Sequence, residues 1–299
     1  MPGSIDSGHS PRLADLANLV RLPAALSVPG DVLAGAVAST STLRPRIIAT
    51  MASSAALYWA GMALNDYADA TVDAVERPER PIPSGRVDRR TALATACGLT
   101  AAGLGLAALA GGRRALGVAL PLTGLVWAYD LGLKSTPAGP AAMAGARALN
   151  VLSGAAPGRR ASALPAALLT GAHTYTVTVL SRHEVSGAPR AVPVGTLAAS
   201  TATALAAAAL PGVRRRKREA RIGAAAGALG YLALYGTAQL RAAREPSADR
   251  VRHAVGTGIL SLMPLQAALT AGGGGTVPAG VLALAHPLAR KLARKVSPT

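Results

Sequence analysis

Nine apolar stretches of about twenty residues each, joined by linkers too short to fold by themselves, leave this chain few shapes to adopt. Their approximate limits are 17–40, 46–72, 91–110, 114–131, 139–157, 163–181, 191–211, 220–241 and 252–271. Twenty residues of helix rise about 30 Å, the thickness of a bilayer's hydrocarbon core. Inside that core every backbone N–H and C=O must be paired within the protein, which restricts a spanning chain to helices or a closed barrel. Strand-like alternation is absent from the sequence. The expected fold is therefore all-α, a polytopic membrane helical bundle of about nine transmembrane helices forming one domain over 1–299. Most linkers hold Pro, Gly or paired arginines, residues that end helices and stay in water.

Composition agrees with a lipid setting. Only 15% of residues are charged and none is Phe, whereas a soluble domain carries about 25% charge. Ala, Gly, Leu and Val dominate the apolar stretches, and small residues let helices approach closely in lipid. The formal net charge of +17 invites a nucleic-acid partner. The basic residues, however, sit in short clusters between apolar stretches, with no recognition motif or basic helix face. The expected partners are the lipid bilayer and anionic diphosphate, and not nucleic acid. Cys97 is the single cysteine and lies in an apolar run, so no disulfide or cysteine metal centre can be built from it. Residues 1–12 are polar, read as a flexible N-terminus, and show no signal-peptide pattern, so the first apolar stretch is expected to stay as an uncleaved anchor. Residues 277–289 are apolar but short, and Arg290-Lys291 and Arg294-Lys295 follow, so 276–299 reads as a basic interfacial tail. The run at 214–218, Arg-Arg-Arg-Lys-Arg, reads as another head-group contact.

One stretch carries chemistry. Residues 65–73 read Asn-Asp-Tyr-Ala-Asp-Ala-Thr-Val-Asp, and residues 77–86 read Arg-Pro-Glu-Arg-Pro-Ile-Pro-Ser-Gly-Arg. On a helix, Asn65, Asp69 and Asp73 recur every four residues along one face, with Asp66 three before Asp69. Unpaired carboxylates that close repel one another and persist when a cation sits among them, and oxygen ligands in a partly hydrated site suit Mg²⁺. Magnesium with nearby arginines is what a diphosphate group needs as it leaves carbon. A plainer reading is a polar helix end followed by a solvated, charged loop. The stretch resembles the first signature of the UbiA superfamily of intramembrane prenyltransferases, Asn-Asp-x-x-Asp-x-x-x-Asp followed by Arg-Pro-x-Arg-Pro.

That resemblance implies helices around a central cavity, with Mg²⁺ held by Asn65, Asp66, Asp69 and Asp73. It implies an isoprenyl diphosphate as donor, a lipophilic acceptor, and a multi-pass protein of the cell membrane whose motif side faces the cytoplasm. Asp66, Asp69, Lys134 and Arg147 are then the catalytic candidates. Asn65, Arg77, Arg80, Arg86, Tyr129, Asn150, Arg182 and Tyr58 are candidates for substrate contact. The second and fourth apolar stretches end on the same membrane side if the count of nine holds, which places Tyr129, Asp130 and Lys134 at the opening that holds the aspartates. In the superfamily a tyrosine and a lysine at such a position contact the diphosphate or its surrounding loop; a snorkelling interfacial lysine is the alternative for Lys134. An arginine inside the fifth stretch needs a partner, and Gly145-Ala146-Arg147 resembles the family's polar step in the cavity wall, with Asn150 close to the same face.

Other polar and aromatic residues keep two readings. Tyr58 and Trp59 stand about two turns before Asn65, where aromatic faces either shelter a carbocation in a cavity or belt the membrane interface. Asp31 follows an expected kink at Pro29 and either supports that kink or meets substrate. Tyr231, Tyr235 and Gln239 recur every four residues and face either a cavity or a packed core. Gln266, beside Pro264, marks a polar kink in the ninth stretch.

Four helices after its first signature, the superfamily carries a second aspartate-rich stretch that holds another Mg²⁺. Here that place reads Ser181-Arg182-His183-Glu184-Val185. Glu184 is the one acid left to ligate an ion, with Ser181 and water to complete the shell. Arg182 or Arg190 adds positive charge, and His183 is either a base or a polar loop residue. The departure leaves three expectations for function. The first is Mg-dependent transfer of an isoprenyl group to a lipophilic acceptor of aromatic type. The second is a UbiA-type terpene cyclase, which the lack of Phe counts against, since such cations are guided by aromatic faces. The third is a non-catalytic UbiA-like membrane scaffold. Lysines and arginines are shared almost equally between alternate loops, so the positive-inside rule assigns no orientation.

Overall fold

Alanine- and leucine-rich runs propagate helix with little side-chain entropy to lose, and helix is what the chain forms. The computed structural model describes residues 13–21, 27–40, 43–210 and 218–296, and among these no strand occurs. In order, the helices are α1 (Leu13–Leu19), α2 (Val28–Ser39), α3 (Arg46–Ala68), α4 (Ala70–Glu76), α5 (Arg89–Leu131), α6 (Gly139–Gly154), α7 (Arg160–Ser181), α8 (Ala191–Ala209), α9 (Arg218–Tyr231), α10 (Thr237–Arg244), α11 (Ala248–Gly272) and α12 (Thr276–Val296). A 3₁₀ turn, Leu133–Ser135, follows α5, and a π-helical turn, Leu232–Gly236, joins α9 to α10. By length and composition, α3, α5, α8 and α11 can each cross a membrane.

Every apolar stretch read from the sequence has a helical counterpart, with informative differences. The third and fourth stretches are the two halves of α5, which carries non-helical backbone at Gly111 and Gly112. Gly112 has φ 59°, a left-handed conformation open to glycine. Beyond it the chain doubles back, so that Trp127 Nε1 donates to Thr100 Oγ1 at 3.2 Å between the halves. Asp88 starts α5 by accepting from the backbone N–H groups of Arg90 and Thr91, and these bonds hold its carboxyl below the usual carboxylate range. The expected kink at Pro29 is not there. Instead α2 begins at Val28 with Pro29 in its first turn, where a missing N–H breaks no helical bond. The tail is helical through its basic run: α12 packs on α11 and α9, burying Ala279, Leu282 and Ala289 and exposing Val277, Val281, Leu284 and Leu288. Residues 1–12 and 214–217, read above as a flexible terminus and a basic run, lie outside the described residues.

Short contacts define the two ends of the bundle. At one, Lys134 after α5 meets Asp69 after α3, Arg182 after α7 reaches the 3₁₀ turn, and Ala188 N donates to Pro246 O at 3.0 Å. At the other, Ser39 at the end of α2 accepts from Ala156 N after α6 at 2.9 Å, and Arg160 at the start of α7 bonds Arg114 O just past the kink. Between the ends, small residues set the spacing. A Cβ on Gly35 would overlap Val151 O, and one on Gly154 would overlap Val32 O, so the backbones of α2 and α6 touch. Substituting Gly154→Leu must push these helices apart and is expected to cost about 1–3 kcal/mol or more. Thermal melting in detergent should show a clear fall, while Gly117→Ala, which meets no neighbour, should leave the midpoint unchanged.

Candidate active site

The aspartates come together where α3 passes into α4. Asp69 breaks the helix (φ −88°, ψ 3°), yet the four-residue backbone bonds continue from Asp69 N to Asn65 O at 2.9 Å, Asp73 N to Asp69 O at 2.8 Å and Arg77 N to Asp73 O at 2.8 Å. The ladder expected from the sequence spacing is thus kept through the break. Its acids are not left to repel one another. Buried Asp66 accepts from Arg21 Nη2 at 2.8 Å, and Arg80 Nη1 lies 3.5 Å from Asp66 and 2.5 Å from Asp73. Half-buried Asp69 accepts from Lys134 Nζ at 2.5 Å. Asn65 Nδ2 donates to Asp130 Oδ1 at 3.2 Å, which links the ends of α3 and α5. Tyr129, half-buried, stands beside Asp130.

The proline-rich loop folds on its own arginine. Arg86 donates to Glu79 O at 2.5 Å and to Ser84 Oγ at 2.9 Å, and lies 3.7 Å from Asp15 on α1. Arg86 therefore shapes the loop that presents Arg80, while Arg77 is exposed. Arg182 likewise acts on backbone: its Nη2 donates to Lys134 O at 3.1 Å and to Thr136 O, clasping the turn that carries Lys134. Glu184 sits in the turn after α7. Burial pushes its carboxyl up from the ordinary glutamate value, and Arg77 and Arg252 draw it back. Arg252 also donates to Glu184 O at 3.2 Å. Through Arg77 the remnant of the second signature thus faces the first.

Arg147 and Asn150 belong to a different cluster, within the bundle. Asp31 is wholly buried and accepts from Arg147 Nη1 at 2.9 Å, Asn150 Nδ2 at 2.8 Å and Gln266 Nε2 at 2.7 Å. Arg147 Nη2 reaches Ser27 Oγ at 3.1 Å, its guanidinium lies 5.9 Å from the ring centre of Tyr58, and Ser54 donates to Asn150 Oδ1. The amide of Asn150 is thereby committed to the protein, whereas Arg147 retains some exposure beside Tyr58. Tyr231 and Tyr235 pack edge-on against buried His173, and Gln239 Nε2 donates to Ser200 Oγ at 3.1 Å; all are fully or almost fully buried, which decides for a packed core. Arg21 is the site residue that sequence reading passed over. It lies 45 positions from Asp66, and its only local sign was a charge inside the first apolar stretch, near its start.

Oxygen donors alone, with no sulfur or imidazole among them, suit a hard divalent ion. Among the described residues, however, no three His, Cys, Asp or Glu side chains converge to hold a metal. The aspartates and Asn65 are instead engaged by Arg21, Arg80, Lys134 and Asp130. These donors fit a metal only if a ligand draws the cations away, and a polyanion has the charge to do so.

A helical membrane bundle that gathers acids and arginines at one end is the class of protein defined so far. The chain belongs to the UbiA prenyltransferase family, whose model matches residues 28–297. It is 40% identical over 110 residues to the digeranylgeranylglyceryl phosphate synthase of Methanopyrus kandleri, a stretch covering 37% of this chain and 38% of that protein. Over 131 residues it is 40% identical to the synthase of the same name from Ignicoccus hospitalis, covering 42% and 41%. The matched stretches therefore span well under two thirds of either relative. Two solved structures share the fold. One is described as giving structural and mechanistic insights into the biosynthesis of digeranylgeranylglyceryl phosphate synthase in membranes (TM-score 0.65, 14% identity, 87% of this chain and 98% of that one). The other is the apo form of a UbiA homolog from Aeropyrum pernix K1 (TM-score 0.60, 20% identity, 83% and 97%).

The Asp31 cluster makes a stability prediction. Removing one partner of a buried ion pair strands the other charge, at roughly 3–5 kcal/mol. Asp31→Ala should lower the melting temperature steeply, and the double change Asp31→Leu with Arg147→Met should recover much of the loss.

Proposed function

We propose that this chain transfers an isoprenyl group from an isoprenyl diphosphate to a lipophilic acceptor within the membrane. The observation that carries the reading is the pairing of Asp66, Asp69 and Asp73 with Arg21, Arg80 and Lys134 at one opening of an apolar bundle. A diphosphate entering there competes for Arg80 and Lys134 and frees the carboxylates. Asn65, Asp66, Asp69 and Asp73 would then hold Mg²⁺, which supplies Lewis-acid neutralisation of the leaving diphosphate. Arg77, Arg80 and Lys134 take up the charge that develops as the carbon–oxygen bond breaks. Arg182 keeps Lys134 in place, and the surrounding helices hold the isoprenoid chain and keep water from the allylic cation until the acceptor attacks. Arg147, beside Tyr58, is the cation available to orient a polar group on the acceptor.

The names of the similar synthases support a phosphate-bearing glyceryl lipid as acceptor in preference to the aromatic compound expected from the sequence. The family resemblance supports a cytoplasmic opening, on the side where soluble isoprenyl diphosphates are made. Incubation of the purified protein with Mg²⁺, a panel of isoprenyl diphosphates and both acceptor types tests the reading. An adduct is expected; a hydrocarbon product indicates cyclisation, and no product at all refutes catalysis. Asp69→Ala should cut diphosphate release by about 10²-fold or more while the melting temperature stays near wild type. Glu184→Gln should fall by less than about tenfold, since Glu184 stands alone at the second signature. Full turnover in Asp69→Ala would discredit the site.

A further inference from the structure

Three contacts tie α3 to the second half of α5, and each joins residues 65 positions apart, as two helices lying side by side in the same direction give. Gly61 leaves room for Val126, whose Cγ1 a Cβ at 61 would meet at 2.9 Å. One turn on, Asn65 Nδ2 donates to Asp130 Oδ1 at 3.2 Å, and one turn further Lys134 Nζ reaches Asp69 at 2.5 Å. The middle pair has no part in the reaction as described above. Asp130 is only 5% exposed. Among the described residues it joins no ion pair, whereas Asp31, Asp66, Asp69 and Asp73 each meet an arginine or lysine. Its hydrogen-bond partner there is Asn65.

A carboxylate only accepts hydrogen bonds, whereas an amide carries donors on one arm and an acceptor on the other. The pair therefore has one arrangement, with the Asn65 nitrogen toward Asp130 and Oδ1 turned away from it. No hydrogen bond to that oxygen occurs among the described residues. Asp69 stands one turn further along α3, its backbone N–H bonded to Asn65 O at 2.9 Å. An aspartate at 65 could not be set in this way, because two carboxylates would face each other across about the same gap and repel. We propose that Asp130 is a positioning residue: by fixing the Asn65 amide it presents Oδ1 to the divalent cation that Asn65 and the aspartates hold with diphosphate. The inference rests on the metal-dependent reading given above. A simple brace between α3 and α5 asks only for some hydrogen bond at 130. Orientation asks for an acceptor that cannot also donate.

Mn²⁺ in place of Mg²⁺ lets binding be read without turnover. The paramagnetic resonance signal of the free ion falls as the full chain, in detergent, takes it up with inorganic diphosphate. Asp130→Asn keeps the size of the side chain and a hydrogen bond to Asn65, but leaves both amides free to turn over. It is expected to weaken Mn²⁺ binding about tenfold or more, with a melting temperature near that of the wild type. Asp130→Ala carries the same expectation and serves if Asp130→Asn folds poorly. Glu245→Gln, at an exposed acid of the same end, removes the same charge and should bind as the wild type does. Asn65→Ala should weaken binding too, and adding Asp130→Asn to it should cost nothing further, since a positioning residue has no effect once its target is gone. Unchanged affinity in Asp130→Asn, or losses that multiply in the double variant, would overturn the proposal. A wild-type chain that takes up no Mn²⁺ with diphosphate would overturn the metal reading beneath it as well.

Discussion

A carboxylate inside an apolar bundle persists only beside a positive partner or a full set of donors, and that constraint arranges the polar architecture of this protein. Asp31 takes three donors from α6 and α11, and Asp66 and Asp73 share one nitrogen of Arg80. Each contact ties segments far apart in sequence, so the polar groups brace the bundle as well as equip it. Leu19, Leu64, Val87 and Ala92 form an apolar cluster beside the second of these braces, which keeps the Arg21 and Arg80 partners next to the aspartates.

The same constraint gives the site its resting condition. An opening that already balances its own charges does not need an external ion to stay folded, and an anionic ligand enters by exchange of partners. Lys134 suits such an exchange, because it reaches Asp69 from a short turn held through its backbone by Arg182. Arg86 plays the comparable part for Arg80, bracing the proline-rich loop through Glu79 and Ser84. Two arginines that look like ligands for phosphate are thus occupied in aiming the cations beside them.

Much of this was legible in sequence because it is local. Apolar length specified the helices, and the spacing of Asn65, Asp69 and Asp73 survived a helix break, since the four-residue backbone bonds continue through it. What escaped depends on contacts between distant segments. The role of Arg21 requires knowing that α1 lies against the end of α3, and that of Gln266 that α11 crosses α2 beside Asp31. Pro29 misled because proline in a first turn and proline at a mid-helix kink look alike until the helix start is known.

The π-helical turn between α9 and α10 has a consequence for how the layers are joined. A wider turn admits one more residue than an α-turn without severing the rod, and it changes the compass bearing of everything downstream. Before it, Tyr231 points to His173 on α7; within it, Tyr235 points to Thr176 on the same helix. After it, Gln239 addresses Ser200 on α8. A single rod therefore serves two neighbours, lying along α8 through its length while its two tyrosines reach across to α7.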